Sequence, residues 1–294
     1  MKQNLMKWIA IVSVCVASLF SIKTVIAADV LTATPVTYML SSELLKDTSL
    51  TTKYLPPNRY GIERLPNWFA NKGSKAVQDS AKIAQAVVTI GAVWAEDPLY
   101  VNARYSNIQI IEVDASQAIT PRAQGVAALR LSDGTTSKYA WLNPTNLIRM
   151  VAIVSDDFQR IWPDKSDQIQ KNQEQFMLSV RQLINQQQKV ILENDIDSVI
   201  LLSEQLEDFA SGNQLFVVDR LTKPALEWTE DDKVQLQELL EEDDSVWIIT
   251  TQKPNKQMQA LLPMERVLIV DAVDRWGRAG INSKVPLQRW QLAL

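Results

Sequence analysis

The side chains that most often carry catalysis and metal binding are nearly absent from this chain of 294 residues. It has no histidine, and its one cysteine, Cys15, lies near the amino terminus. Catalytic triads with histidine, histidine-based proton transfer and the usual nitrogen and sulfur ligands of zinc therefore need residues that the chain lacks. The side chains left for chemistry are carboxylates, phenols and hydroxyls, with lysine and arginine as cations.

Two short acidic motifs are built from these remaining residue types. Asp133-Gly134-Thr135 differs in order from the Asp-Thr/Ser-Gly motif of aspartic proteases, and a turn is the simpler interpretation. The acidic run 241–244 lacks the ligand spacing and central glycine of a calcium loop, so we expect a solvated helix end. Two carboxylates could hydrolyse glycosides, but no pattern in the sequence brings two of them together. We predict that the chain is not an enzyme.

The first 27 residues have the features of a secretory signal peptide. Lys2 and Lys7 precede an apolar run at residues 8–20, which is shorter than the ~20 residues of a membrane-spanning helix. Small residues follow this run, and we expect cleavage near Ala27, with the mature protein in the periplasm. Cys15 would be removed with the signal, so the mature chain could form no disulfide bond.

Short apolar segments alternate with helical patterns along residues 28–294. Segments such as Val267-Leu268-Ile269-Val270 show no polar alternation, as expected of parallel strands that are covered on both faces. The sequence therefore predicts an α/β fold with parallel sheets. Eight strands are predicted, at residues 30–33, 51–55, 87–91, 108–113, 199–202, 215–218, 246–250 and 267–270.

Three helical segments are readable. Asn143 is a good N-cap, Pro144 suits the first helical position, and apolar residues follow at spacings of three and four up to Ile161. Thr229 and Asp232 form a pattern like a capping box ahead of a second helix. Residues 167–193 contain no glycine or proline and would form one helix of ~40 Å.

A helix of that length is longer than a small sheet needs, so we interpret it as a rigid connection between two lobes. The predicted organisation is a signal peptide (1–27), an N-terminal lobe (28–164), a linking helix (165–193) and a C-terminal lobe (194–294). The chain carries 34 acidic and 30 basic residues, and loss of the signal lysines makes the mature protein more acidic. This net negative charge disfavours a nucleic-acid partner. We also expect the protein to be a monomer.

Four segments occur in an order that is typical of a known family. They are Tyr-Leu-Pro-Pro at 54–57, the stretch 81–91, Tyr-Ala-Trp-Leu-Asn-Pro at 139–144 and Val-Leu-Ile-Val-Asp at 267–271. Over nearly all of residues 28–294 the chain resembles the zinc- and manganese-binding proteins of bacterial ABC importers. The resemblance implies two βα lobes joined by a rigid helix, a metal ion in the cleft between them, and docking to an ABC permease in the inner membrane.

The resemblance also implies positions for the site. The first ligand would lie in the stretch 58–63, the second at Tyr139, the third at Ser203 or Glu204, and the closing carboxylate at Asp271. Because the histidines of the family are replaced, any divalent metal would be bound through oxygen, which suits manganese or a harder ion better than zinc. The implied ligand-binding residues are Arg59, Tyr60, Tyr139, Ser203, Glu204 and Asp271, with Asp271 and Glu204, and also Glu63, as metal ligands.

Three functions stay open at this point. The first is import of a metal ion through this altered, histidine-free site. The second is binding of an organic or anionic ligand, with tyrosines as walls and arginines as anchors; these are Tyr38, Tyr60, Tyr139, Arg59, Arg275 and Arg278. The third is an accessory or interaction protein of the periplasm. Tyr139 could equally fill the core, and Asp271 could cap a turn.

Overall fold

The structure is a computed structural model that describes residues 28–119 and 124–294. The predicted signal peptide lies outside the described residues. All eight predicted strands overlap strands of the structure: β1 (Val30–Thr32), β2 (Thr52–Tyr54), β3 (Ala86–Thr89), β4 (Ile111–Asp114), β5 (Ser198–Leu201), β6 (Phe216–Arg220), β7 (Trp247–Thr250) and β8 (Val267–Ile269).

These strands form two four-stranded parallel sheets with the same kind of strand order, β2-β1-β3-β4 and β6-β5-β7-β8. In the first sheet Val30 lies opposite both Thr52 and Ala86. In the second sheet Val199 lies opposite Trp247. β1, β3 and β7 are buried along their whole length, which explains why their sequences show no polar alternation.

Nine α-helices connect and cover the sheets in the described part of the chain. They are α1 (Pro35–Leu44), α2 (Leu65–Ala70), α3 (Ser74–Ala81), α4 (Pro98–Arg104), α5 (Pro144–Ile161), α6 (Ser166–Glu193), α7 (Glu207–Gly212), α8 (Glu230–Glu242) and α9 (Lys256–Gln259). The Asn143 side chain accepts a hydrogen bond from the Thr145 amide, and Thr229 and Asp232 form a reciprocal capping box. Both predicted helix starts are confirmed.

Helix α6 is the predicted linking helix, with 28 residues between the two sheets. Near its start, the Asn172 amide donates to the carbonyl of Leu44 on α1 over 2.9 Å. Near its end, the Gln187 amide donates to the carbonyl of Trp290 over 2.8 Å. The helix therefore contacts elements of both lobes, and the predicted fold of two βα lobes with a long helix is confirmed.

One strand begins later than predicted. The side-chain amide of Asn107 donates to the carbonyls of Ala81 and Ala84, both over 2.9 Å, and the Ile110 amide donates to the Asn107 carbonyl. These bonds hold residues 107–110 in a turn, so β4 starts only at Ile111. Among the described residues, no helix is both long and apolar enough to cross a membrane.

Candidate functional site

The largest cavity lies between the lobes, beyond the carboxyl ends of the parallel strands. Segments that follow four strands line it: residues 92–96 after β3, 202–205 after β5, 222–226 after β6 and 250–253 after β7. Ligands of open α/β sheets bind at this edge because the loops there converge. The cavity has a volume of about 1290 Å³. It is large enough for an organic molecule and far larger than a metal ion needs.

A short hairpin forms part of the N-terminal wall of this cleft. Arg130 and Thr136 form an antiparallel bridge. At the tip, the Asp133 carboxylate accepts hydrogen bonds from the amide and hydroxyl of Thr135, and Gly134 has a φ of 82°. The predicted turn at 133–135 is confirmed, since glycine allows this left-handed backbone without strain.

Tyr139 lies at the base of this wall and is 7% exposed. Its hydroxyl accepts a hydrogen bond of 2.8 Å from the side-chain amide of Gln205, in the opposite lobe. Burial raises the pKa of Tyr139 well above the usual range, with further contributions from Asp274 and Glu63. The phenol is therefore neutral at physiological pH and a poor ligand for a metal ion.

Glu63, Ser203 and Glu204 also line the cleft. The Glu63 carboxylate contacts Lys138 over 3.0 Å. Ser203 accepts a hydrogen bond from the Gln205 amide and so caps the 3₁₀ turn at 204–206. Glu204 is exposed at the edge of the cleft and has no ion pair among the described residues.

Asp271 lies outside this cleft, in a second cavity of about 280 Å³. Its two oxygens accept hydrogen bonds from Arg289, from Nε to Oδ2 over 2.7 Å and from Nη2 to Oδ1 over 2.9 Å. The Val273 amide also donates to Oδ1, over 2.8 Å. Both carboxylate oxygens therefore already accept hydrogen bonds, while the Asp271 side chain is 43% exposed. Gln205, Thr251, Gln252 and Arg275 line both cavities and so mark the boundary between them.

Arg59 and Tyr60 line neither of these cavities. The guanidinium carbon of Arg59 lies 5.4 Å from the centre of the Tyr60 ring, and that ring lies 6.5 Å from the Trp68 ring. Tyr38, a predicted wall residue, packs against Trp276 at a centroid distance of 4.8 Å. Of the implied ligand residues, the structure thus brings Tyr139, Ser203 and Glu204 to one cleft.

The donor set does not fit a zinc or manganese site. Within the described ranges, no three acidic or thiol side chains converge as a metal cluster. Of the three implied metal ligands, Asp271 lines a different cavity from Glu204 and Glu63, and Glu63 is paired with Lys138. An ion held by Glu204 alone would keep most of its ligands as water, which gives weak and unselective binding.

Sequence reasoning missed several residues at the site. Asp208 on α7 is 1% exposed, and its Oδ2 has no hydrogen-bond partner among the described residues. Burial raises the pKa of Asp208 to about 6, and a hydrogen bond to Ser137 in the cleft wall opposes this shift. Gln205 and Arg289 were also missed. No local pattern marks these residues, because their partners lie far away in the sequence.

No protein-family model and no curated protein matches this sequence. Solved structures of similar fold include the crystal structure of ZnuA, with 19% identity, a TM-score of 0.63, and coverage of 84% of this chain and 92% of that chain. The metal-dependent lipoprotein YcdH from Bacillus subtilis has 15% identity, a TM-score of 0.67, and coverage of 86% and 90%. The solute-binding protein FpvC from Pseudomonas aeruginosa, solved with Mn²⁺, has 12% identity, a TM-score of 0.61, and coverage of 84% and 88%.

The chain therefore has the fold of metal-binding solute-binding proteins. At these identities the likeness establishes the fold and leaves the ligand of this chain open. These structures of similar fold include a solute-binding protein, in agreement with the prediction that the chain is not an enzyme.

Proposed function

We propose that this chain is an exported solute-binding protein whose cleft binds an uncharged, polar organic ligand and delivers it to an ABC permease in the inner membrane. Its fold, and the signal peptide predicted from residues 1–27, support the general role. The size of the cleft and the residues that line it support the ligand class, and the proposal rests on these two features.

The cations in the cleft walls are largely neutralised from within the protein, whereas Glu96, Asp133 and Glu204 have no ion pair among the described residues. Three of the four cations that line the cleft pair with an acid: Lys138 with Glu63 over 3.0 Å, Lys223 with Asp232 over 2.5 Å and Arg275 with Asp274 over 2.9 Å. Lys223 donates a hydrogen bond to Asp232, and this bond contributes most to the lowering of the Asp232 pKa to about 2. An anionic ligand would have to break such pairs, which disfavours an anion in this cleft.

Hydroxyl and amide groups from both lobes supply the remaining polar surface of the cleft. They alternate with apolar side chains such as Leu131, Leu226 and Met258. A lining of this mixed kind suits a small organic molecule with several hydrogen-bonding groups. The polar members are Thr135, Thr136, Ser203, Gln205, Thr222, Thr251, Gln252 and Asn255.

Metal-ion transport, which rests on Asp271 and Glu204, has weaker support. Arg289 binds both oxygens of Asp271, and Glu204 lies in the other cavity. Coordination of a metal at Asp271 would place a second cation beside the Arg289 guanidinium, which is 11% exposed and already pairs with this carboxylate.

Native mass spectrometry of protein purified from the periplasm tests the proposal. We expect a bound organic molecule that is released on denaturation, at up to one per chain. Thr136→Trp and Thr251→Trp, which fill the cleft from opposite lobes, should abolish the added mass. Ile108→Trp, which places the same ring at a site that is 77% exposed and lines no cavity described above, should retain it.

Two results would overturn the proposal. One is a zinc or manganese ion that stays bound at one per chain after dialysis against a chelator. The other is a protein with no bound molecule that shows no rise in melting temperature with neutral or charged metabolites, yet co-purifies with a protein partner. That second result would favour the accessory role.

A further inference from the structure

The segment that follows β8 crosses from the C-terminal lobe to the N-terminal lobe. Its Trp276 ring lies between two tyrosine rings of the N-terminal lobe, at centroid distances of 4.8 Å to Tyr38 and 4.7 Å to Tyr54. The Gly277 amide donates to the Asn58 carbonyl over 2.8 Å. These contacts attach the segment to helix α1, to the end of β2 and to the loop that follows β2.

Two further contacts join the same segment to the N-terminal lobe. A Cβ atom at Gly61 would lie 2.4 Å from Oδ2 of Asp274, so a larger residue there would displace the Asp274 side chain. The indole nitrogen of Trp141 donates to the Ala272 carbonyl over 3.0 Å. Residues 271–277 are thus in contact with the N-terminal lobe at several independent points.

The last residues of the chain form a second attachment. The indole nitrogen of Trp290 donates to the Trp141 carbonyl over 3.3 Å. The side chain of Gln187, on α6, donates to the Trp290 carbonyl over 2.8 Å. Gln186 and Leu292 exchange hydrogen bonds in both directions. We refer to residues 271–292, which contain both attachments, as the C-terminal strap.

Arg289 joins the two attachments of the strap. Its Nε and Nη2 bind Asp271, and its Nη1 donates to the carbonyls of Arg275 and Trp276 over 2.9 and 3.4 Å. All three guanidinium nitrogens are therefore used, and the side chain is 11% exposed. A planar guanidinium can make this set of bonds at once, whereas a lysine ammonium is a single point charge.

We propose that Arg289 is a built-in cation that latches the two lobes together through the C-terminal strap, so that their arrangement depends on no metal ion or other ligand. This inference goes beyond the proposed function, since it concerns how the lobes are held and not what the cleft binds. In a two-lobe binding protein, ligand contacts to both lobes can favour the closed state. Here an internal ion pair takes that role, and the cleft keeps a fixed width.

A distance measurement between the lobes tests the latch. The sequence of residues 28–294 contains no cysteine, so spin labels at Glu96→Cys and Lys253→Cys, which are exposed and lie on opposite walls of the cleft, report its width by pulsed electron paramagnetic resonance. We expect one narrow distance distribution that a chelator does not change. Arg289→Ala should broaden this distribution and lengthen its mean distance by about 2 Å or more. The distribution of Arg289→Lys should lie between those of the unsubstituted protein and of Arg289→Ala.

Two controls separate the latch from general destabilisation. Arg220→Ala removes a two-point arginine pair with Glu207 in the C-terminal lobe, outside the strap, and should leave the distribution unchanged. If Arg289→Ala fails to fold, the measurement is made on Arg289→Lys. A distance distribution of Arg289→Lys that is identical to that of the unsubstituted protein contradicts the latch. Exchange of the two charges, Asp271→Arg with Arg289→Asp, should restore part of the narrow distribution.

The proposal is overturned if Arg289→Ala folds and keeps the narrow distribution. It is also overturned if the unsubstituted protein shows a broad distribution that narrows only on addition of Zn²⁺ or Mn²⁺. Neither result depends on which molecule the cleft binds, so failure of the latch and failure of the proposed ligand class are distinguishable.

Discussion

Asp271 and Glu204, the two carboxylates that the sequence suggested as a metal pair, lie in very different surroundings. Asp271 is engaged by a guanidinium at two points, and Glu204 is exposed at the edge of a wide cleft. One carboxylate belongs to a region that holds the lobes together, and the other belongs to a region that is open to a ligand. Two carboxylates that the resemblance assigns to one site therefore serve different purposes here, because Arg289 binds Asp271 and leaves Glu204 exposed.

The largest expected effect comes from the aromatic contact of the strap. Trp276→Ala should lower the free energy of unfolding by about 2–3 kcal/mol, because it removes a large, partly buried ring that packs against Tyr38 and Tyr54. Urea denaturation followed by circular dichroism measures this loss. Trp276→Phe should retain more than half of the stability that the alanine variant loses. A loss below about 1 kcal/mol for alanine would show that the strap packs loosely.

Asp208 offers a third kind of carboxylate, buried and without a cation. Burial raises its pKa from 3.8 to about 6, so the folded protein binds this proton more tightly than the unfolded chain. The contribution of Asp208 to the free energy of unfolding should therefore fall by about 2–3 kcal/mol as the pH rises from about 4 to above 6.

Asp208→Asn should make that pH dependence shallower. Asp97, whose pKa burial also raises to about 6, contributes equally in both proteins, so the difference between their pH profiles isolates Asp208. Urea denaturation at several pH values between 4 and 7.5 measures both profiles. Equal slopes for the two proteins would show that Asp208 is solvated in the folded state.

The comparison of the two carboxylates can be made directly by removing each charge. Asp271→Asn should lower the free energy of unfolding by about 2 kcal/mol, because it leaves the Arg289 guanidinium without its counter-ion. Glu204→Gln should change it by less than about 0.5 kcal/mol, as expected of an exposed residue without a partner. Chemical denaturation of both variants under one set of conditions gives the two values. Similar losses would remove the distinction between the regions.

The smallest expected effect is that of a pair in the cleft wall. Lys138→Ala removes the contact with Glu63, whose side chain is 66% exposed, and should lower the free energy of unfolding by less than about 0.5 kcal/mol. If the proposed ligand class is right, the same change leaves Glu63 unpaired and should make the cleft accept cationic ligands more readily. A stability loss above about 1 kcal/mol would instead give the pair a structural role.

The fold was largely predictable because its signals are local. Asn143 and Pro144 mark the start of α5 through short-range hydrogen bonding and a fixed φ angle. The apolar segment that begins at Val267 indicates a parallel strand from its composition alone, but β8 lies at the edge of its sheet and Ile269 is 40% exposed, so the strand is not covered on both faces as predicted. The start of β4 was wrong by three residues, because Asn107 bonds to carbonyls more than twenty residues earlier, and no local pattern shows such a contact.

The site was predictable only in part. Tyr139 and Glu204 line the cleft, and their positions were implied by the resemblance to a family with a ligand at this place. Arg289 could not, since it lies 18 residues after Asp271 and reaches it only when the strap folds back. Its role depends on long-range contacts of Trp276 and Trp290, which are ordinary packing residues when viewed in sequence.

A thermal titration with metal ions tests most directly whether Arg289 has taken the place of a metal at Asp271. The chelator-treated protein should show a melting temperature that Zn²⁺ and Mn²⁺ leave unchanged within about 1 °C, because a ligand stabilises the folded state only where it binds. A rise that grows with metal concentration and disappears in Asp271→Ala would contradict the account.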